Sequence, residues 1–235
     1  MDIELTELID ELVIANHVLA NENVVDSFGH ISVRNPENPN HYFLSCSRSP
    51  EIVCSNDIME FDLEGNSVDN STLRPYGERF IHGAILEARP DIQSVVHNHS
   101  LSVIPFSVTN TPLQPIIHTG AAIGRNIPVW DIHDNFGDTD LLVRNMEQGR
   151  DLATSMGEAS VVLMRGHGCS VVGTSIKEAT LTSVYLQISA TVQLQSIPLG
   201  NVRYLTPGET EQCTNMFYSD LSVDRAWENL TRRVK

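Results

Sequence analysis

The stretch Gln93-Ser94-Val95-Val96-His97-Asn98-His99-Ser100 constrains the chain more than any other. A β-branched apolar run marks a buried strand, and it ends in two histidines one residue apart. On a strand side chains alternate faces, so His97 and His99 point the same way, with Cα atoms about 6–7 Å apart. Two imidazoles fixed on one face can converge on one ion. A third histidine, His167, ends a second apolar run, Val161-Val162-Leu163-Met164-Arg165-Gly166-His167-Gly168, between glycines that permit a tight turn. Three imidazoles with an open fourth position are the donor set of a catalytic divalent ion. The plain alternative, polar residues at a strand rim, accounts for His97 and His99 but gives no reason for the third.

Around these runs the chain reads as alternating helices and strands. Leu5, Leu8, Ile9, Leu12, Val13 and Leu19 recur at helical spacing over residues 3–20. Ile31 and Val33 alternate with Ser32 and Arg34 as a strand entered through Gly29. Residues 35–40 form a hairpin loop, 41–46 the return strand, and 58–68 a further hairpin. A helix opens near Glu78 and is stopped by Arg89-Pro90-Asp91, directly before the histidine strand. Residues 101–108 make a short segment and 109–115 a turn-rich link. Val129-Trp130 belong to a short strand, and residues 139–156 are predicted to be one long helix. Residues 170–173 form a strand after the Gly-His-Gly turn, residues 175–195 a second long helix, and 196–235 a largely helical tail. No repeat or composition break appears, so one α/β domain over 1–235 is expected, its hairpins making the sheet mixed or mostly antiparallel.

Bulk properties exclude several partners. A net charge of −15 argues against nucleic acid and anionic membrane surfaces, although a local arginine can still hold an anionic substrate. There is no run of 18 apolar residues, and the opening Met1-Asp2-Ile3-Glu4 lacks the basic start of a signal peptide. The four cysteines are scattered without a CxxC pair. A cytoplasmic protein with reduced thiols is expected.

Three further groups carry candidate chemistry. Glu78, at the start of the helix before the histidine strand, is either a general acid/base beside the ion or a carboxylate complementing the helix dipole. His82, one turn later, reads as a packed residue rather than a fourth ligand. Ser47-Arg48-Ser49 follows a strand as a turn and is either a carboxylate clamp or a solvated loop. Gly29-His30 either lets backbone amides approach an anion or makes a corner. His118 and His133 have no partner spacing.

The order of these motifs resembles the class II aldolase/adducin family. The Gly-x-Ile-Ser-Val-Arg turn-strand (29–34), the Ser47 loop, the helix opening at Glu78, Arg-Pro-Asp before Val-Val-His-x-His, and the late Gly-His-Gly carry the likeness, from about residue 5 to 195. The resemblance implies a three-layer α/β/α fold with a central, mainly antiparallel sheet. It also implies a homotetramer with active sites between subunits, to whose contacts the tail 196–235 would contribute. One divalent ion per subunit, zinc or manganese, would be held by His97, His99 and His167, with Glu78 as acid/base. The family's sugar-phosphate aldolases carry Gly-Asn and Ser-Gly where this chain has Gly29-His30 and Ser47-Arg48. That change disfavours a phosphorylated sugar and adds a cation. The stretches 47–51, 75–79 and 130–132 are similar to the family's decarboxylases of hydroxylated aromatic or pyridine dicarboxylates. The expected function is therefore metal-dependent decarboxylation of a hydroxylated aromatic or heteroaromatic carboxylate, with Ser47, Arg48, Gly29 and His30 against the substrate. Aldol cleavage of a hydroxy-ketone, phosphorylated or not, uses the same ion, and a non-catalytic adducin-like scaffold is the third reading. The scaffold has no reason to keep three histidines together with Glu78.

Overall fold

The computed structural model describes residues 3–68 and 71–234. Its elements run α1 (Ile3–Asn21), β1 (His30–Arg34), β2 (His41–Ser45), β3 (Ile58–Asp62), α2 (Arg79–Ala88) and β4 (Ser94–Asn98). They continue with one-turn α3 (Ile104–Ser107), β5 (Val129–Trp130), short α4 (Ile132–Phe136), α5 (Met146–Met156), β6 (Val161–Met164) and β7 (Gly168–Gly173). Helices α6 (Ile176–Ser196), α7 (Pro207–Phe217) and α8 (Asp220–Thr231) complete the chain. The strands form one sheet in the order β3-β2-β1-β4-β7-β6-β5, antiparallel except for the parallel β5–β6 pair at one edge.

Strand alternation builds two cores. Ile31, Val33, Val96, Val161, Leu163 and Val171 face α1 and α6, where Leu12, Leu19, Ala179 and Leu186 are buried. Their neighbours Val95, Val162, Met164 and Val172 face α2 and α5, where Ile81, Ile85 and Leu152 are buried. The result is the three-layer α/β/α arrangement with a mainly antiparallel sheet. Fully burying one such aliphatic side chain contributes about 1.5–3 kcal/mol, so both faces must be covered for the sheet to persist. Helices α7 and α8 add to the α1–α6 layer. No helix among the described residues is long and apolar enough to cross a membrane.

One predicted element is corrected. Residues 139–156 are not a single helix: only Met146–Met156 is helical, and the preceding residues form a loop with Leu141 at φ 65°. The helix starts where it does because the Asn145 side chain accepts the Gln148 N–H and caps it. The loop is tied down by the Val143 N–H, which donates to the Glu78 carboxylate at 2.9 Å. The expected 58–68 hairpin is present with a short return arm: Phe61 bridges Ser67 antiparallel, the Asp62 N–H donates to the Asn66 carbonyl and the Val68 N–H to the Glu60 carbonyl.

Candidate active site

The sheet register assembles the histidines. In β4, His97 follows Val95 by two residues and so faces the α2 layer, where the N-terminus of α2 presents Glu78. The β6–β7 hairpin turns through Gly166, at φ 65°, and brings His167 beside β4, since β7 pairs with β4 through His97↔Ser170 and Asn98↔Cys169. That approach requires Gly168: a Cβ there would lie 2.1 Å from the Asn98 carbonyl oxygen and 3.1 Å from the His99 ring.

The four donor atoms, Nε2 of His97, His99 and His167 and a carboxylate oxygen of Glu78, all lie within 4.8 Å of one another. His97 Nε2 and His99 Nε2 are 3.0 Å apart, and Glu78 Oε2 is 3.7 Å from His97 Nε2 and 3.6 Å from His167 Nε2. Tetrahedral ligands about 2.1 Å from one ion stand about 3.4 Å from each other, so the close-set imidazole nitrogens suit a single divalent cation with the Glu78 carboxyl beside it. Protonation fits as well. Burial, followed by the neighbouring imidazoles, holds His97 well below the usual histidine range and His167 at about 4, leaving neutral rings with lone pairs to offer. Burial pushes the Glu78 carboxyl up to about 7 against the opposing pull of the Val143 N–H. Glu78 Oε1 accepts that N–H, which leaves Oε2 as the oxygen turned toward the imidazoles.

From this cluster a cleft of about 450 Å³ opens outward, lined by His30, Ser47, Arg48, Tyr76, Glu78, His99 and Phe28 among others. Its outer wall is braced from behind. The Arg48 guanidinium donates to buried Asp57 at 3.0 Å, and the Tyr76 hydroxyl donates to the Arg48 carbonyl. The Ser47 N–H donates to the Arg74 carbonyl at 2.7 Å. The half-exposed Arg48 thus stands in a fixed loop with part of its guanidinium uncommitted.

His30 pairs in register with His97 and lines the cleft, yet its ring is almost wholly buried. His30 Nδ1 lies 2.6 Å from His82 Nε2, and His82 Nδ1 lies 2.6 Å from Ser32 Oγ. His82 is therefore a packed partner of His30 and takes no place among the donors. Gly29 makes a corner: a Cβ there would meet Val25 at 2.6 Å, and its N–H is already given to Asp26 Oδ1. His133 is exposed beside Asp138 and, like His118, stands outside the cluster. Asp26, which sequence reasoning passed over, contacts His99 Nδ1 with both carboxylate oxygens. An acidic residue three positions before a turn glycine was the signal available for it.

Residues 10–194 match the family model described as the class II aldolase and adducin N-terminal domain. Decarboxylase tropJ of Talaromyces stipitatus is 36% identical over 242 residues, covering 93% of this chain and 91% of that protein. A 3,4-dihydroxyphthalate decarboxylase of Arthrobacter keyseri is 30% identical, with 96% and 93% covered. Among solved structures, an aldolase II superfamily protein from Pseudomonas syringae superposes with a TM-score of 0.82 at 21% identity, covering 100% of this chain and 94% of that one. An L-fuculose 1-phosphate aldolase from Glaciozyma antarctica PI12 gives 0.79 at 21%, with 97% and 88% covered. At that identity the structural likeness is one of fold.

Proposed function

The chain belongs to the class II aldolase and adducin family, and from that premise we propose that it is a metal-dependent decarboxylase of a hydroxylated aromatic or heteroaromatic carboxylate. One observation carries the reading: three imidazoles and a carboxylate converge at the inner end of a cleft whose outer wall carries an arginine. His97, His99 and His167 would hold one zinc or manganese ion per subunit. When bound, such an ion supplies Lewis-acid stabilisation of negative charge on a substrate oxygen.

The chain's own residues do the rest. Arg48 and Ser47 hold a substrate carboxylate at the mouth of the cleft, where a guanidinium can give two parallel hydrogen bonds. His30, fixed by His82, offers a polar edge within the wall. The carbon–carbon bond to the leaving carboxylate breaks, CO2 departs, and its electron pair stays with the substrate. Glu78 holds a proton at Oε2, the oxygen not engaged by Val143, and gives it to the carbon that lost CO2. Solvent water then reprotonates Glu78. In quaternary terms the proposal is a homotetramer in one domain per subunit, with clefts at subunit interfaces and residues 196–235 contributing to the contacts. Light scattering on the purified chain tests that part.

The activity test is incubation of metal-loaded protein with hydroxylated aromatic carboxylates. The expected result is CO2 and decarboxylated product in equal amounts. An aldehyde released from a hydroxy-ketone, with no CO2 from any carboxylate, would overturn decarboxylation in favour of aldol cleavage.

A further inference from the structure

Asp26 lies outside the donor cluster and takes no part in the steps above. Its carboxylate closes the turn into β1: Oδ1 accepts the N–H groups of Phe28 at 2.8 Å and Gly29 at 3.2 Å. Capping that turn uses Oδ1 alone. Yet the carboxylate also faces a ring 73 residues away, with His99 Nδ1 3.2 Å from Oδ1 and 3.1 Å from Oδ2. The three histidines are held differently. The side chains of His97 and His167 are 0% and 10% exposed; Nδ1 of His97 has no hydrogen-bond partner, and His167 has only the Leu141 backbone beside it. His99 is the most exposed of the three, at 18%, and it alone among them has a carboxylate at Nδ1. Of the three rings, His99 is the one least enclosed by the protein and the one a side-chain carboxylate holds.

We propose that Asp26 is a positioning residue for the metal site, keeping the His99 proton on Nδ1 and therefore its lone pair on Nε2, toward the cluster. This rests on the metal reading given above. A neutral imidazole carries one N–H, and the partner at one nitrogen decides which nitrogen is free to ligate. D26N keeps one oxygen but replaces the other, the one 3.1 Å from His99 Nδ1, with a donor. With its oxygen on the Phe28 and Gly29 amides, its NH2 faces His99 Nδ1 and favours the tautomer protonated at Nε2, which cannot bind a cation. In D26S the hydroxyl can still accept from the turn amides but is too short to reach His99.

The test measures zinc affinity by chelator competition for the wild-type chain, D26N and D26S, together with the Tm of each in metal-free form. The expected result is zinc binding about 10- to 100-fold weaker in both variants at unchanged metal-free Tm. Wild-type affinity in either variant overturns the positioning role. So does weakened binding that appears only with a matching fall in metal-free Tm in both, because the turn would then be the cause. A wild-type chain that takes up no zinc and no manganese overturns the metal reading itself, and the role of Asp26 with it.

Discussion

Replacing Glu78 by glutamine separates its chemistry from its packing. Glutamine keeps an oxygen for the Val143 N–H, so the 137–145 loop stays tied to the start of α2. What changes is the group facing His97 and His167, which becomes an amide with no proton to give. Loss of a positioned general acid costs about 10²- to 10⁴-fold in kcat, or about 3–5 kcal/mol of barrier. Stability should move the other way. In the metal-free chain burial raises the carboxyl from 4.5 to about 7, a difference of about 3 kcal/mol between the two protonation states. Below pH 4.5 the group is protonated whether the chain is folded or not, and it contributes nothing. Between 4.5 and about 7 the unfolded chain gives up its proton while the folded chain keeps it, so wild-type stability declines with rising pH across that window. E78Q does not titrate there. Its advantage over wild type in urea denaturation should be near zero at pH 4 and approach about 3 kcal/mol by pH 8. Turnover equal to wild type would remove Glu78 from the mechanism. A stability difference that does not change with pH would show that the carboxylate is not held in the buried position described.

Arg48→Ala should lower kcat/KM for the carboxylate substrate by about 10- to 150-fold, the worth of a charge-assisted hydrogen bond, and Arg48→Lys should restore little because an ammonium lacks the two-pronged donor. Steady-state kinetics check both, and unchanged kcat/KM in R48A would take the arginine out of substrate binding. Gly168→Ala places a methyl 2.1 Å from the Asn98 carbonyl, which the strands cannot absorb without moving His99. It should destabilise the metal-free chain by about 1–3 kcal/mol in urea and weaken zinc binding as well; an unchanged midpoint would contradict the close β4–β7 approach.

Much of the site was legible because its parts obey short-range rules. Period-two alternation places His97 and His99 on one face, and the Gly166-His167-Gly168 turn announces a hairpin tip, so those elements follow from local sequence. That Glu78 opens a helix was readable from the Arg89-Pro90 stop and the apolar stripe of Ile81, Ala84 and Ile85. What brings Glu78 to the histidines is the packing of α2 on the sheet, which no local pattern encodes. The 139–156 segment misled for a related reason: its hydrophobic spacing suits a helix, but a tertiary bond from Val143 to Glu78 and the cap at Asn145 begin the helix later. Asn145 three residues before Gln148 was a readable start signal. Asp26 and the His30–His82–Ser32 chain join residues 50 to 73 positions apart, and only the register of β1 with β4 and the seat of α2 reveal them.

The most direct test of the central claim is metal content per chain by elemental analysis, after loading with zinc or manganese and removal of free ion, for wild type and His167→Ala. Close to one ion per wild-type chain is expected and close to none in H167A, whose fold should survive because His167 sits at a hairpin tip. A wild-type chain that retains no ion, or an H167A chain that retains as much as wild type, would contradict it.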